Sequence, residues 1–404
     1  MPPLPPLRYV DAVPVQHEGE AYVCISDPTG CVEAQLMLSG PAFFVAACLD
    51  GTQDIAGIQR AFARQFGGAQ VPAKQVQQVV NYLDEQGFLH NARFESLRRA
   101  LERDFRAAHQ RRAYLAGKSY PADAQELRKV LDSFFNGQLP QAPTNGVPPL
   151  RCLVVPHIDF GRGAPAYAAG YRRLFEAGKP NTVFIFGVAH AGAPVPFVLT
   201  RKAFETPFGT LETDQHALDK LEAACAWEPY EYEIVHRTEH SIEFQAVLLA
   251  YWFGPAVKIV PILCGTFCES PTQRPAEVPV IGRFLDACRA VAAKPGRRVS
   301  VIAGADLAHV GRRFGDDFDI TEDILSGIET RDREDLAHVA AGAPEAFYAS
   351  VMKDENARRV CGLGCIYAAL KTVEGSAATG QFLHYGYAPD PSGGIVSFSS
   401  VEFR

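Results

Sequence analysis

Long apolar runs are missing from this sequence. No stretch approaches the roughly 18 consecutive apolar residues of a membrane-spanning helix. The opening Met1-Pro2-Pro3-Leu4-Pro5-Pro6-Leu7 has neither the basic nor the apolar region of a secretory signal. A cytoplasmic location with no membrane partner is therefore expected. A basic excess is missing as well: 39 Lys and Arg stand against 46 Asp and Glu, a formal net charge of −7. That balance argues against nucleic acid as a partner. CxxC pairs are absent, although there are ten cysteines, at positions 24, 31, 48, 152, 225, 264, 268, 288, 361 and 365. The closest pairs, Cys264/Cys268 and Cys361/Cys365, stand four apart, unlike a zinc knuckle. In a long chain without an export signal most of these thiols read as small core residues, not as a disulfide framework. No internal repeat is present.

What the sequence does contain is an ordinary globular balance, 47% hydrophobic and 21% charged over 404 residues, enough for two or three units with a sizeable core. The first ninety residues read as a small α+β module. Ala21–Ser26 and Cys31–Met37 form a hairpin pattern about the turn Asp27-Pro28-Thr29-Gly30. A buried helix is expected over 41–49. Asp54 stands as the N-cap of an amphipathic helix that Gly67-Gly68 stops, and Pro72 opens a third helix striped by Val76, Val79, Val80 and Leu83. With Asp50-Gly51-Thr52 before the second helix and Asn81-Tyr82-Leu83-Asp84-Glu85-Gln86-Gly87-Phe88-Leu89 closing the unit, residues 1–92 resemble a PqqD-like winged-helix domain. That resemblance implies peptide recognition, with an edge strand near 21–37 taking up a peptide by strand addition.

Residues 93–118, rich in Arg and Ala with Phe94, Leu97, Leu101 and Phe105 at helical spacing, read as a helical linker. A further helix is expected over 123–135, and Gly137–Pro149, with four prolines, reads as a loop. From Leu150 onward β-rich runs at 152–156, 182–187, 258–263 and 299–303 alternate with helical patterns. Helices are expected at 165–177, 214–224, 241–253, 280–293, 317–328, 332–340, 344–353 and 362–373, then extended segments at 382–387 and 394–403. The alternation predicts an α/β fold, a central sheet flanked by helices, over 119–404.

In such sheets sites collect past the carboxyl ends of the strands. His157 follows the run Val154-Val155-Pro156, and His190 follows Phe184-Ile185-Phe186-Gly187-Val188-Ala189. His309 follows Val301-Ile302-Ala303-Gly304-Ala305, with Asp306 three residues before it. One such histidine is ordinary, whereas three strand ends delivering one each favour a metal or acid–base site. Glu239-His240-Ser241-Ile242-Glu243 opens a helix, where its carboxylates either serve as helix-start chemistry or place His240 and Glu243 at a cleft rim. His216, His236, His338 and His384 have no comparable placement.

These phrases, in their order, together with Thr206-Pro207-Phe208-Gly209-Thr210-Leu211 and Val360-Cys361-Gly362, resemble the Memo family, also called AmmeMemoRadiSam system protein B. The resemblance runs from about residue 115 to the end. It implies a fold like that of the class III extradiol dioxygenases, with a cysteine where those enzymes use a carboxylate. By position it implies the metal ligands His157, His190 and Cys361, with Asp306 and His309 as catalytic groups. His240, Glu243 and Asp159 are expected to line the substrate pocket. A two-histidine, one-anion face suits iron(II), and the thiolate also suits copper or zinc. The family name further implies a radical SAM partner protein. Gly362-Leu363-Gly364-Cys365 departs from the family, which often carries an arginine after the glycine and a proline before the helix; Leu363 removes an anion-binding side chain. A second histidine after His190, found in some relatives, is replaced by Ala191. Cys365, one turn from Cys361, is read as packing. Three functions fit these residues: an iron-dependent oxidoreductase acting on a small molecule or a peptide brought by the N-terminal module, a copper- or iron-binding redox-control protein, and a peptide-binding scaffold.

Overall fold

The computed structural model describes residues 2–135, 147–266, 273–375, 379–390 and 393–404, so Cys268 and most of the loop read over 137–149 lie outside the described residues. The chain forms two compact units, Met1–Ala107 and Ala108–Arg404.

In the first unit β1 (Asp11–His17), β2 (Glu20–Ser26) and β3 (Leu36–Ser39) form an antiparallel sheet in that order. The buried Asp27 carboxylate accepts the backbone N–H groups of Thr29 and Val32, each at 2.9 Å, and pairs with Arg8. This Asx turn holds the chain in a bend, so the strand expected from Cys31 begins only at Leu36. Helices α1 (Gly40–Ala47), α2 (Ile55–Gln65), α3 (Ala73–Glu85) and α4 (Ala92–Ala107) follow. Asp54 caps α2, its Oδ1 accepting from Gly57 N at 2.7 Å. Ile25, Leu38, Val45, Ile58, Phe62, Val76, Val80 and Leu83 form the core of this unit. The helix expected over 93–118 ends at Ala107.

The second unit begins with β4 (Gln110–Arg111), α5 (Ala124–Ser133), β5 (Cys152–Val155), α6 (Phe160–Glu176) and β6 (Thr182–Val188). It continues through β7 (Phe197–Leu199), β8 (Ala203–Thr206), β9 (Gly209–Leu211), α7 (Gln215–Glu222), α8 (His240–Phe253) and β10 (Lys258–Cys264). It ends with α9 (Pro279–Ala292), β11 (Val299–Gly304), β12 (Asp306–Val310), α10 (Glu322–Ala340), α11 (Pro344–Met352), α12 (Leu363–Val373), β13 (Gln381–Asp390) and β14 (Gly394–Phe403). Four parallel strands, in the order β5-β11-β6-β10, make the centre of an eight-stranded mixed sheet. Their near-continuous apolar sequences reflect burial on both faces. Cys152, Val154, Phe184, Phe186, Val260 and Ile262 pack on one side, and Leu153, Val155, Val183, Ile185 and Ile259 on the other. Antiparallel β7 extends the sheet beyond β10, and β14 pairs antiparallel with β5, with β12 and with β13.

Two differences from the sequence reading matter. The segments expected as helices at 317–328 and 332–340 join in one 19-residue helix, α10, capped by Thr321 and uninterrupted by Gly327. Asp306 and His309, expected on a loop past a strand end, lie on their own strand. β5 stops at Val155, so the chain leaving β11 crosses its end and pairs with β14, at Asp306↔Phe398 and His309↔Val396. No described helix is long and apolar enough to cross a membrane.

Candidate metal centre

Three adjacent parallel strands deliver the first groups. His157 lies two residues past β5, His190 two past β6 and Asp306 two past β11. The registers Gly304↔Val155 and Ala303↔Phe186 set these strand ends side by side. Helix α8 brings a fourth group, His240, in its first turn. The close approach of α8 depends on glycine. A Cβ on Gly304 would stand 2.6 Å from the Ser241 carbonyl oxygen, and one on Gly187 2.5 Å from Ser241 Oγ. Gln245 Nε2 donates to the Pro156 carbonyl at 2.8 Å and Ser241 Oγ accepts from Val188 N at 2.9 Å, so the helix start is fastened to two strand ends.

The result is a cluster in which ligand atoms of His157, His190 and His240 all lie within 4.8 Å of one another. The His190 and His240 rings stack with centroids 4.5 Å apart, and His157 stands edge-on to both at 5.0 and 5.2 Å. His157 is buried, and the other two rings are partly open. Each tautomer is set from behind. His157 Nδ1–H donates to the Gly304 carbonyl at 2.8 Å, leaving Nε2 for the cluster. His190 Nδ1–H donates to Glu239 Oε1 at 2.9 Å, while its backbone N–H donates to Oε2 at 2.9 Å. Oε1 also accepts from Ser241 N and lies 3.3 Å from His240 Nδ1. Glu239 thus caps α8 and orients the His190 imidazole, the carboxylate–histidine arrangement of metal sites, while its charge lies beside His240.

Electrostatics agree with a donor role. Burial holds His157 below the ordinary imidazole range, against the pull of Asp306, and partial burial beside two other imidazoles lowers His240 as well, against the pull of Glu239, so both rings are neutral with free lone pairs. Burial would lower His190 too, but the Glu239 carboxylate outweighs it and raises this imidazole. Burial likewise disfavours charge on Glu239, yet His190 and His240 hold it well below the usual carboxylate range. Cys361 Sγ stands 3.3 Å from His157 Nε2, and Asp306 Oδ2 3.6 Å from it. Nitrogen and sulfur donors on one ion at about 2.1 and 2.3 Å, at angles from 90° to tetrahedral, are about 3.1–3.6 Å apart. The Cys361–His157 spacing fits that arrangement, although Cys361 falls outside the group of three imidazoles. Burial, then Asp306 and Cys365, push its thiol well up, so ligation there releases a proton.

A family model described as Memo-like protein matches residues 111–401. The chain belongs to the Memo-like family. A MEMO1 family protein of Aquifex aeolicus is 26% identical over 402 residues, covering 99% of each chain, so that similarity runs through both units. MEMO1 family proteins of Thermus thermophilus and Methanopyrus kandleri are 30% and 28% identical over 289 and 300 residues, covering 69% and 72% of this chain and 78% and 97% of theirs.

Within this Memo-like fold the residues expected at the site separate into two groups. His157, His190, His240, Asp306 and Cys361 come together. Asp306 Oδ1 accepts the His157 backbone N–H at 3.0 Å, and its carbonyl accepts from Cys361 Sγ at 3.7 Å. His309 lies three residues past Asp306 on β12, beyond a register irregularity in its pairing with β14. Its Nδ1 faces the carbonyls of Leu307 and Arg359 at 3.0 and 3.2 Å, which leaves Nε2 unengaged by them. Burial lowers its proton affinity, with Asp306 opposing. Glu243, expected in the pocket, is fully buried behind α8. It pairs with the buried Arg111 and accepts from Tyr120 Oη and from the backbone N–H of Tyr114 and Leu115, at 3.2 and 2.8 Å. The carboxylate therefore ties residues 111–120 to the sheet domain and is structural. Asp159, also expected in the pocket, caps α6 through Arg162 N at 3.1 Å and pairs with the Arg162 side chain. Cys365 is buried and hydrogen bonds to Cys264, not Cys361, and every described cysteine is a free thiol. The residue that sequence reasoning passed over is Glu239. The signal was its place directly before His240, but its second role, on His190, crosses 49 residues.

Proposed function

We propose that this Memo-like protein is a mononuclear metal-dependent oxidoreductase acting on a small molecule or a peptide. The observation that supports it most is the convergence of three imidazoles, ligand atoms within 4.8 Å of one another, past the carboxyl ends of the central strands. His157 and His190 would hold the ion through Nε2, their Nδ1 groups being committed to Gly304 and Glu239. Cys361 would join them as thiolate, its proton passing to solvent on binding, and His240 stands beside His190 in the wall of the site. Iron(II) is the proposed metal, and when bound it supplies open coordination positions for substrate and a redox couple. Asp306 orients His157 through the backbone N–H, and His309 holds or moves a proton at Nε2 on the side facing the substrate. The N-terminal unit recruits the substrate when that is a peptide, by strand addition to its small sheet, in which β1 and β3 are the outer strands.

Cys361 beside His157 supports a second reading, a redox-control protein that holds copper(I), for which thiolate is the softer and better donor. One experiment separates them: anaerobic purification, metal quantification and oxygen uptake with candidate substrates, repeated for His157→Ala and Cys361→Ser. Iron lost in both variants together with substrate-dependent oxygen uptake supports the oxidoreductase. Tight copper(I) without uptake supports the second reading. Metal content unchanged in both variants refutes the ligand assignment.

A further inference from the structure

The proton-handling and thiol side of the centre is carried by strand β12 and by the loop 353–362 that lies along it. His309 N donates to the Arg358 carbonyl at 2.7 Å and Gly362 N donates to the Asp306 carbonyl at 3.1 Å, so the loop follows β12 at both ends of the strand. The opposite edge of β12 pairs with β14. Three loop residues that are not glycine, Glu355, Asn356 and Arg359, adopt left-handed backbone at φ 57°, 57° and 53°. Such a conformation is unfavourable by itself and persists only where the surroundings over-determine it.

Asn356 is held by its own side chain, Oδ1 accepting the Val360 N–H at 2.7 Å, and Arg359 by its ion pair with Asp316 at 2.7 Å; the residue before Arg359, Arg358, is held from behind the loop, by α10. The buried Arg358 guanidinium spans two buried carboxylates, its Nη1 on Asp332 Oδ1 and its Nη2 on Asp335 Oδ2. Asp332 Oδ2 also accepts from Ser397 Oγ and from Tyr385 Oη, on β14 and β13. Ser397 Oγ in turn accepts the Ala308 backbone N–H at 2.9 Å. Asp335 accepts from Ser350 of α11. One cluster of buried charge therefore grips β12 from both edges: through Arg358 it fixes the loop ending at Cys361, and through Asp332 and Ser397 it fixes the strand between Asp306 and His309.

A buried ion cluster of this kind adds little net stability over apolar packing, because desolvation offsets the Coulomb gain. What it adds is geometry, since two carboxylates bridged by one planar guanidinium admit a single arrangement. We propose that Arg358, Asp332 and Asp335 are positioning residues of the metal centre, a clamp that sets Cys361 and His309 against His157. The proposal rests on the reading of Cys361 and His309 given above.

Cobalt(II) loaded anaerobically into the full chain gives the test, because a thiolate on cobalt produces a charge-transfer absorption band that imidazoles alone do not. Wild type is expected to show the band and Cys361→Ser to lose it. Arg358→Lys keeps the charge but cannot bridge both carboxylates. It is expected to fold and to bind cobalt about 10–100-fold more weakly, as outer-shell substitutions do, with the band weakened beyond the loss of bound metal. Ser397→Ala cuts the link from Asp332 to Ala308 and is expected to leave the band while shifting the ring resonances of His309 in NMR spectra of the full metal-free chain. It also serves as the second variant should Arg358→Lys fail to fold. Wild-type affinity and a wild-type band in Arg358→Lys, or unshifted His309 resonances in Ser397→Ala, overturns the clamp alone. A band that survives Cys361→Ser, or is absent from wild type, overturns the thiolate reading and the clamp with it.

Discussion

Replacing Glu239 by glutamine changes one heavy atom and should loosen the His190 imidazole. In the wild type Oε1 accepts from His190 Nδ1 and Ser241 N, and Oε2 from the His190 backbone N–H, all at 2.9 Å. A glutamine can place its carbonyl oxygen at only one of these positions. At the Oε1 position it keeps two donors and turns its NH2 toward the His190 N–H; the opposite flip sets two donors against the NH2 and is worse. The better flip leaves one backbone N–H unpaired, at about 1–3 kcal/mol, and turns two charge-assisted bonds into neutral ones of roughly half the strength. The His190 loop then samples orientations in which Nε2 no longer faces His157. Metal affinity should fall about 10–100-fold, or about 1.4–2.8 kcal/mol. Anaerobic competition against a chromophoric chelator measures this directly, with urea unfolding of the metal-free protein reporting the separate loss of stability. A glutamine variant that is destabilised but binds metal as tightly as wild type refutes the orienting role and reduces Glu239 to a helix cap.

Three further outcomes are expected. Arg111→Leu leaves the fully buried Glu243 carboxylate without its cation, and urea unfolding should show a loss of about 3–5 kcal/mol, largely retained as tertiary loosening of residues 111–120. His236 is buried and its imidazole lowered to about 3 by burial, so the folded state stays neutral while the unfolded state protonates below the ordinary range. Unfolded chains therefore bind more protons between about pH 6.5 and 3, and stability falls as pH falls through that window. His236→Leu should reduce the slope of unfolding free energy against pH by about 1.4 kcal/mol per unit there; an unchanged slope contradicts it. Gly304→Ala puts a methyl 2.6 Å from the Ser241 carbonyl oxygen, so the start of α8 must move. A cost of about 1–3 kcal/mol with weaker metal binding is expected, measured by thermal unfolding and the same chelator titration.

Features that depend on neighbours in sequence were legible in it. The Asp54 cap, the left-handed Gly67-Gly68 stop and the apolar runs of β5, β6, β10 and β11 are set within a few residues, by capping, backbone sterics and burial on both faces. So was the delivery of His157 and His190, because a residue two places past a parallel strand lies at the carboxyl end of the sheet whichever fold encloses it. Asp306 and His309 were legible as residues but not as strand β12, whose pairing depends on how far β5 extends and on β14, some ninety residues later. Glu243 was misplaced because its partners Arg111, Tyr114, Leu115 and Tyr120 lie more than 120 residues away.

By itself, then, the sequence determined the α/β class, the family and the residue types that converge at the carboxyl end of the sheet, since periodicity and motif order survive without coordinates. Only the tertiary structure decided which carboxylate serves the centre: Glu239 turns toward His190 and His240, while Glu243, one helical turn along, turns away to Arg111. It likewise decided that Cys361 faces His157 and Cys365 faces Cys264. The physical reason is common to both cases. Glu239 and Cys361 each stand just before a helix, α8 or α12, whereas Glu243 and Cys365 lie inside it. Four places apart on one helix the two side chains would share a face, so it is the non-helical backbone before the helix that turns the first into the site while the helix packs the second into the core.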